Sequence, residues 1–356
     1  MTQADTAADS AAGTAPFPTF SSDNWAPAHP RVMEQLTRVN SGMAPAYGDD
    51  PYTAEAIALI KRHLGDHAIP SLLLTGTGAN VLALGSCVRP WEGVICPETA
   101  HIYASETGAP EWHLGTRLLT VPAPDGKLTV DSMRSRLGGK GVESKVQPRV
   151  ISITQATEYG TIYQPAEVRE LADAAHAAGL YVHMDGARLA NAAAALGVGM
   201  RELSSDCGVD VLSFGFTKNG ALCAEAVVFF DPALAEGFGY RRKQGMQLSS
   251  KMRFIAAQII GLLTDDTWLE NARHANEMAR RLGDGLSALP GVRITQPVES
   301  NQVFAIIPPN RVSALEKGGS FHVWRADRSE YRFVCSFANT SEEVDAFLTH
   351  ARRDML

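Results

Sequence analysis

The sequence lacks the features that define several common protein classes. None of its apolar runs is long enough to span a bilayer, and the N-terminus has neither the basic nor the apolar region of a secretory signal. It also has no block of like charge along the chain. Its 32 Lys and Arg residues and 39 Asp and Glu residues give a formal net charge of −7. Nucleic acids are bound by clustered positive charge. We therefore expect neither a nucleic acid nor a membrane as partner.

Cysteine is scarce, and its spacing argues against disulfides and metal sites. The five cysteines are odd in number and none forms a CxxC pair; they are Cys87, Cys96, Cys207, Cys223 and Cys335. This pattern favours reduced thiols in a cytoplasmic protein. No metal site is expected.

The length and composition are those of a globular protein. With 356 residues, 45% of them hydrophobic and 20% charged, the chain can form one large domain and one smaller domain. Residues 1–16 are rich in Ala, Asp, Ser and Thr and are predicted to be a disordered tail. We predict the large domain over residues 17–265 and an α+β domain over residues 266–356.

Two neighbouring apolar strands each end near a charged side chain. The first, residues 180–184, leads directly to Asp185, and the second, residues 209–214, leads to Lys218. An Ala-rich helical run, residues 189–196, lies between them. This βαβ pattern predicts parallel strands, whose carboxyl ends form a common ligand crevice. We therefore expect Asp185 and Lys218 to face one site.

An acid and a lysine in one crevice are the groups that pyridoxal 5'-phosphate (PLP) chemistry requires. The lysine attaches to the cofactor and the acid pairs with the pyridine nitrogen. Taken singly, Asp185 is more simply a helix N-cap and Lys218 a solvated loop residue. Their combination, followed by Gly220 and the apolar run 224–230, favours the cofactor interpretation.

A glycine-rich turn follows another apolar strand. Residues 71–74 lead into Thr-Gly-Thr-Gly-Ala-Asn, residues 75–80, and then into a predicted helix over residues 81–88. Backbone N–H groups at such a helix start bind anions, so a phosphate site is predicted at Gly76, Thr77, Gly78 and Ala79. The alternative is a dinucleotide fingerprint, but the third glycine of GxGxxG and the acidic strand end are missing.

The motifs Met-Asp-Gly-Ala-Arg at 184–188 and Ser-Phe-Gly-Phe-Thr-Lys-Asn-Gly at 213–220 resemble those of the low-specificity L-threonine aldolases, fold type I PLP enzymes of the β-eliminating lyase group. The resemblance runs from about Phe20 to near the C-terminus. It implies an α/β, aspartate aminotransferase-like large domain with a mostly parallel sheet and a smaller α+β C-terminal domain. It also implies cleavage of L-threonine, L-allo-threonine and related β-hydroxy-α-amino acids to glycine and an aldehyde, by a homodimer or homotetramer with a shared active site.

The resemblance also suggests roles for single residues near the cofactor. Lys218 and Asp185 would hold the cofactor, Arg188 would contact cofactor and substrate, and His101 occupies the place of the aromatic ring that stacks on the cofactor. A histidine can also move a proton, although a lone histidine is more often a capped surface residue. Glu158 stands where many relatives have a histidine, so it is either a proton-transfer group or a solvated loop acid. Glu106 is a secondary candidate that would orient His101.

Four further residues are candidate ligands of the substrate or of a neighbouring subunit's phosphate. Arg332, in an apolar strand, matches the arginine that binds the amino-acid carboxylate, a task that suits its planar fork. Ser22 matches a serine near that carboxylate, with an N-cap as the alternative. Lys251 and Arg253, in a helix predicted over residues 248–263, resemble an element that reaches the neighbouring phosphate, or form a solvated helix face.

Other functions stay open at this level. Phe216 departs from the small residue that many relatives have there, and we expect it to narrow or reshape the cofactor pocket. The same cofactor supports β-elimination or transamination, and a non-catalytic PLP protein is a further alternative. A nucleotide-binding oxidoreductase built on residues 75–80 is the alternative from another class.

Overall fold

The computed structural model describes residues 18–355, so the predicted tail over residues 1–16 lies outside the described part. It contains a seven-stranded and a four-stranded sheet. The strands are β1 (Ile69–Leu73), β2 (Glu92–Pro97), β3 (Arg117–Val121), β4 (Gln147–Thr154), β5 (Tyr181–Gly186), β6 (Val211–Gly215), β7 (Glu225–Phe229), β8 (Arg293–Ile294), β9 (Gln302–Ile306), β10 (His322–Arg325) and β11 (Glu330–Val334).

Helices cover both sheets. They are α1 (Pro30–Val39), α2 (Pro51–Leu64), α3 (Gly76–Cys87), α4 (His101–Ala104), α5 (Ala109–Leu114), α6 (Val130–Arg134), α7 (Pro165–Ala177), α8 (Leu189–Leu196), α9 (Pro232–Ala235), α10 (Phe238–Gln244), α11 (Arg253–Leu263), α12 (Thr267–Ser287), α13 (Pro309–Glu316) and α14 (Ser341–Met355). Short 3₁₀ helices occur at Asp23–Trp25, Arg201–Leu203, Ser205–Cys207, Thr217–Asn219, Thr264–Asp266 and Ala326–Arg328. No helix within residues 18–355 has the length and apolar character needed to cross a membrane.

The large sheet has the order β1-β7-β6-β5-β4-β2-β3. Strands β5 and β6 pair in parallel, as the βαβ pattern predicts, and so do β4–β5, β2–β4 and β2–β3. Strand β7 runs the opposite way between β1 and β6. The α/β prediction with a mostly parallel sheet is confirmed. Buried apolar side chains pack on both faces of this sheet, which is typical of parallel sheets.

The small sheet is antiparallel in the order β10-β11-β9-β8 and has its own apolar core. Helices α12, α13 and α14 pack on it, and Phe20 from the N-terminal segment is part of the same core. Helix α12 contributes to both cores, since Trp268 packs with the large sheet and Leu282 with the small one. The predicted α+β character of this part is confirmed.

Two predicted helix boundaries are wrong. The helix predicted over residues 248–263 begins at Arg253, because the Ser250 carbonyl accepts a hydrogen bond from the Tyr47 backbone N–H (3.0 Å) instead of continuing a helix. The helix predicted from residue 81 begins at Gly76, because the Thr75 hydroxyl accepts a hydrogen bond from the Gly78 N–H (3.1 Å) and caps it there. The glycine-rich turn is thus the first turn of α3.

Candidate active site

A cavity lies at the carboxyl ends of β4, β5 and β6. It unites side chains from widely separated parts of the chain. Its lining residues are Gly76, Thr77, Ala79, Asn80, His101, Glu106, Thr154, Glu158, Asp185, Ala187, Arg188, Ser213, Gly215, Lys218 and Glu225. A wider cleft continues from it and is lined by Ser22, Trp324 and Arg332 among others. Most of the predicted site residues therefore meet in one place.

Asp185 and Lys218 both line this cavity. The Asp185 carboxylate is buried and accepts hydrogen bonds from Asn80 Nδ2 (2.9 Å, at Oδ2) and from the Ala187 N–H (3.0 Å, at Oδ1). Burial alone would raise the pKa of Asp185, but the charge of Lys218 and that of His101, with these hydrogen bonds, hold the pKa below its ordinary value. Asp185 is thus a stable anion.

Lys218 lies in the 3₁₀ helix that follows β6. Burial lowers its pKa, and the neighbouring Arg188 charge lowers it further, while Asp23, Asp185 and Glu225 act in the opposite direction. A lysine with a lowered pKa has a larger neutral fraction. It is therefore a better nucleophile toward a carbonyl carbon.

The N-terminus of α3 forms one end of the cavity. The first N–H groups of any helix lack partners within the helix, and the helix dipole makes this end positive. A Cβ placed on Gly76 would meet no protein atom within 4 Å, so there is open space beside it. At Gly78 a Cβ would lie only 2.5 Å from the Gln247 side chain. The predicted phosphate site, here called the cradle, therefore has open space at Gly76 and is closed by Gln247 at Gly78, while Thr77 and Ala79 also line the cavity.

A chain of hydrogen bonds connects His101 to Asp185. His101 Nδ1 lies 2.8 Å from Glu106 Oε1, the same oxygen accepts from Asn80 Nδ2 (2.9 Å), and Asn80 Nδ2 also donates to Asp185. The Glu106 side chain is fully buried, whereas that of His101 is 42% exposed. As a carboxylate, Glu106 accepts from Nδ1–H, which makes Nε2 the ring atom that can take up a proton.

Glu158 forms a hydrogen bond with the backbone of His101. Its Oε1 accepts from the His101 backbone N–H (2.8 Å) and from Thr154 Oγ1 (2.8 Å), while its Oε2 is buried with no protein partner. Burial raises the pKa of Glu158, against the effect of the Thr154 hydrogen bond. Glu158 is therefore a cavity residue and not a solvated loop acid.

Arg188 is fixed by an acid that the sequence pattern did not assign. Its Nε and Nη2 donate to Asp23 Oδ2 (2.7 Å) and Oδ1 (2.9 Å), and Asn301 Nδ2 donates to Asp23 Oδ2 as well (3.0 Å). Burial alone would raise the pKa of Asp23, but the Arg188 charge and hydrogen bonds, together with the Lys218 charge and the Asn301 hydrogen bond, hold the pKa below its usual value. The guanidinium is thereby oriented along the wall of the cavity.

Arg332 and Ser22 line the outer cleft. The Arg332 guanidinium lies 5.2 Å from the centre of the Trp324 ring, and its Nε is buried without a protein partner. Burial, reinforced by the Arg188 charge, lowers the pKa of Arg332 to about 10. The Ser22 hydroxyl accepts from the Asn24 N–H (3.1 Å), so it is an N-cap that also faces the cleft. A buried, unpartnered guanidinium edge fits a carboxylate ligand.

Lys251 and Arg253 do not line this chain's cavity or its outer cleft. Lys251 is exposed, and Arg253 Nη1 donates to the Gly42 carbonyl (3.1 Å). Phe216 is also outside the cavity. It is buried in the core, with its ring 4.3 Å from that of Phe214. The expectation that Phe216 narrows the cofactor pocket is therefore wrong, because its side chain points into the apolar core.

Comparison with known proteins identifies the family. The model of the beta-eliminating lyases matches residues 19–308. The chain is 42% identical over 327 residues to the low specificity L-threonine aldolase of Pseudomonas aeruginosa, covering 91% of this chain and 94% of that protein. The chain belongs to the beta-eliminating lyase family. A Pseudomonas sp. enzyme of the same name is also 42% identical, with the same coverage, so the resemblance to the low-specificity L-threonine aldolases is confirmed.

A solved structure gives the same result. The Leishmania major threonine aldolase superposes with a TM-score of 0.90 at 30% identity, covering 95% of this chain and 100% of that one. The beta-eliminating lyase has the fold type I architecture of PLP-dependent enzymes. Its cavity fits PLP, because an anion cradle, a lysine and a permanent carboxylate line one space, with open room at Gly76. No three His, Cys, Asp or Glu side chains within residues 18–355 are grouped as a metal site.

Three residues of this lyase site were not predicted from the sequence: Asp23, Asn80 in its role of connecting Glu106 and Asp185, and Glu225. The first two make their contacts across 165 and 105 positions, to Arg188 and Asp185, so no local pattern points to them. Glu225 did leave a signal. It is a charged residue within an apolar strand, a position where an acid is costly unless it has a specific role.

Proposed function

We propose that this lyase is a PLP-dependent aldolase that cleaves L-threonine, L-allo-threonine and related β-hydroxy-α-amino acids to glycine and an aldehyde. The observation that carries the proposal is the meeting of Lys218 and Asp185 in one cavity that ends at the N-terminus of α3. The L-threonine aldolases of the same family, at 42% identity over nearly the whole chain, support the reaction type.

The cofactor would be held at three points. Lys218 would attach to the aldehyde carbon, the Asp185 carboxylate would pair with the pyridine nitrogen, and the N–H groups at Gly76 and Thr77 would bind the phosphate. His101 would lie against the ring. When bound, PLP accepts the electron pair released at the substrate's α-carbon. The anionic state of Asp185, kept by Lys218 and its hydrogen bonds, favours this.

The substrate carboxylate would bind Arg332, with Ser22 beside it. The unpartnered Nε of Arg332 and its position next to the stacked Trp324 ring support this role. Arg188, held by Asp23, lies on the wall between the cofactor cavity and this cleft and adds positive charge toward the same carboxylate. A carboxylate fixed in this way sets the orientation of the bond that breaks.

The proton of the β-hydroxyl would pass to His101. Glu106 at Nδ1 leaves Nε2 as the accepting atom, and the ring is accessible from the cleft. Glu158 is the second candidate, since its Oε2 is buried and unpartnered beside the same space. Burial raises the pKa of Glu158, which suits a group that exchanges a proton with the substrate oxygen.

We also propose a homodimer or homotetramer in which Lys251 and Arg253 reach the phosphate of a neighbouring subunit. Exposed large side chains beside α3, among them Tyr240 and Met246, support such contacts. The two sheets with separate apolar clusters support a large domain over 17–265 and a small one over 266–356. Five free cysteines support a cytoplasmic location.

The Lys218→Ala variant tests the proposal. The wild-type protein with PLP should absorb in the visible range, retain the cofactor after borohydride treatment, and release aldehyde from L-threonine. Lys218→Ala should lose all three properties, while Lys317→Ala, which removes an exposed lysine that lines neither the cavity nor the cleft, should keep them. If Lys218→Ala still fixes the cofactor covalently, the assignment of the lysine is wrong.

A further inference from the structure

Glu225 has no role in the function proposed above, although it is a buried acid that lines the cofactor cavity. Its position follows from the sheet order. Strand β7 lies between β1, which leads into the α3 cradle, and β6, which leads to Lys218. Because β7 runs antiparallel to both, its first residue lies at the sheet edge where β1 and β6 end. Glu225 pairs with Leu73 on one side and Gly215 on the other.

In the order of the strands, Glu225 therefore stands between the strand that leads to the N-terminus of α3 and the strand that leads to Lys218. Its Oε1 accepts from Thr217 Oγ1 (2.6 Å), in the residue before Lys218. Its Oε2 lies over the backbone of Gly215, where an added Cβ would come within 3.2 Å of it. Glu225 lines the same cavity as Gly76 and Thr77.

A charged carboxylate in this place would conflict with a bound phosphate. Two anions in a buried site repel each other strongly, and an acid in that situation is held in its neutral form. Lys218 is the cation that acts on Glu225, and in the cofactor-bound protein its nitrogen would be bonded to the cofactor instead of being a free ammonium group beside Glu225. The neutral acid can instead donate a hydrogen bond, which a phosphate oxygen accepts.

We propose that Glu225 is protonated in the cofactor-bound protein and donates a hydrogen bond from its carboxyl group to the phosphate of PLP, an inference that rests on the function proposed above.

The charges around Glu225 agree with this. Burial raises the pKa of Glu225 to about 7, against the Thr217 hydrogen bond and the Lys218 charge, and the Asp185 carboxylate on β5 acts in the same direction as burial. The partner position on β1 is the apolar Leu73. The first turn of α3 contributes only glycine, threonine and alanine side chains before Asn80. The proton is therefore exchangeable near neutral pH.

The experiment compares the dissociation constants of PLP and of pyridoxal, which has no phosphate, between about pH 6.5 and about pH 8.5. Pyridoxal attaches to the same lysine, so the ratio of the two constants cancels the titration of Lys218 and Asp185. With the pKa of Glu225 about 7, the wild-type ratio should shift against PLP by up to roughly 25-fold over this range, because the acid must regain its proton to bind phosphate. In Glu225→Gln, which cannot ionise, the ratio should no longer shift in that direction.

Two further variants keep the test decisive. Glu330→Gln removes a buried acid of the small sheet and should keep the wild-type shift. Thr217→Ala removes a hydrogen bond that favours the charged acid and should move the inflection to higher pH. A wild-type ratio that does not shift against PLP with rising pH, or the same shift in Glu225→Gln, overturns the inference. A protein that binds neither aldehyde at any pH overturns the proposed function itself.

Discussion

The buried ion pair between Asp23 and Arg188 gives a direct prediction for stability. Both side chains are nearly inaccessible, with 1% and 11% of their surface exposed, and two hydrogen bonds join them. Removing one partner of such a pair leaves the other as an uncompensated buried charge. In Asp23→Asn that charge is Arg188, and it lies close enough to Lys218 and Arg332 to act on their pKa values.

The expected loss is on the order of 3–5 kcal/mol in the free energy of unfolding, as found when a buried pair is broken from one side. Urea unfolding of the protein without added cofactor measures it as a lower midpoint with an unchanged slope. Asp265→Asn is the matched control, because its pair with Arg31 (3.2 Å) is exposed, with 76% of the Asp265 side chain accessible. Its effect should stay within about 0.5 kcal/mol.

The contribution of Asp23 to the free energy of unfolding should decrease at low pH. The pKa of Asp23 is lower in the folded protein than its ordinary value of 3.8, so the folded state binds fewer protons than the unfolded state in this range. The contribution of Asp23 to stability is therefore complete above pH 3.8 and is lost as the pH falls through the folded pKa. If Asp23→Asn loses less than about 1 kcal/mol, a value expected of an exposed pair, the pair does not fix Arg188 as argued.

Three further predictions follow from the site. Asp185→Asn should reduce kcat by several orders of magnitude, which corresponds to an increase on the order of 4 kcal/mol or more in the activation free energy. Near-normal turnover would contradict a role of Asp185 at the pyridine nitrogen. Arg332→Ala should raise KM steeply and also lower kcat for L-threonine, whereas His101→Phe should mainly change kcat, the threo/allo preference and the pH profile; equal effects would contradict separate roles. Burial lowers the pKa of His183 from 6.5 to about 4, so the side chain is neutral in the folded protein. The free energy of unfolding should therefore fall by up to about 3 kcal/mol as the pH falls from 6.5 to 4. In His183→Gln this decrease should be smaller, as measured by urea unfolding at each pH.

Local patterns were sufficient for the centre of the site. Asp185 and Lys218 end adjacent strands, and the rule that ligands bind at the carboxyl ends of parallel strands needs only the strand pattern. The helix start beside the cavity at Gly76 and Thr77 follows from the same kind of pattern, since a helix start after a strand can be recognised from a few residues. The helix itself begins five residues earlier than predicted, because the Thr75 hydroxyl accepts a hydrogen bond from the Gly78 N–H and caps it there.

Residues that act through distant partners could not be found from the sequence. Asp23 stands in a Ser-Asp-Asn segment that reads as an ordinary turn, and its arginine partner is 165 positions away. Phe216 was misassigned because its position beside Lys218 says nothing about the direction of its side chain. In the folded protein it points into the core, onto Phe214. Glu225 faces the cavity only because β7 is inserted antiparallel between β1 and β6.

The products formed from L-threonine test the central claim most directly. The protein, supplied with PLP, is incubated with L-threonine, and acetaldehyde, glycine, 2-oxobutyrate and ammonia are measured together, with Lys218→Ala as the control for cofactor reactions in solution. An aldolase releases acetaldehyde and glycine in equal amounts, and the proposed roles of Arg332 and His101 predict this result. Release of 2-oxobutyrate and ammonia without acetaldehyde would show that the bond to the β-oxygen breaks instead, and would contradict the aldolase function.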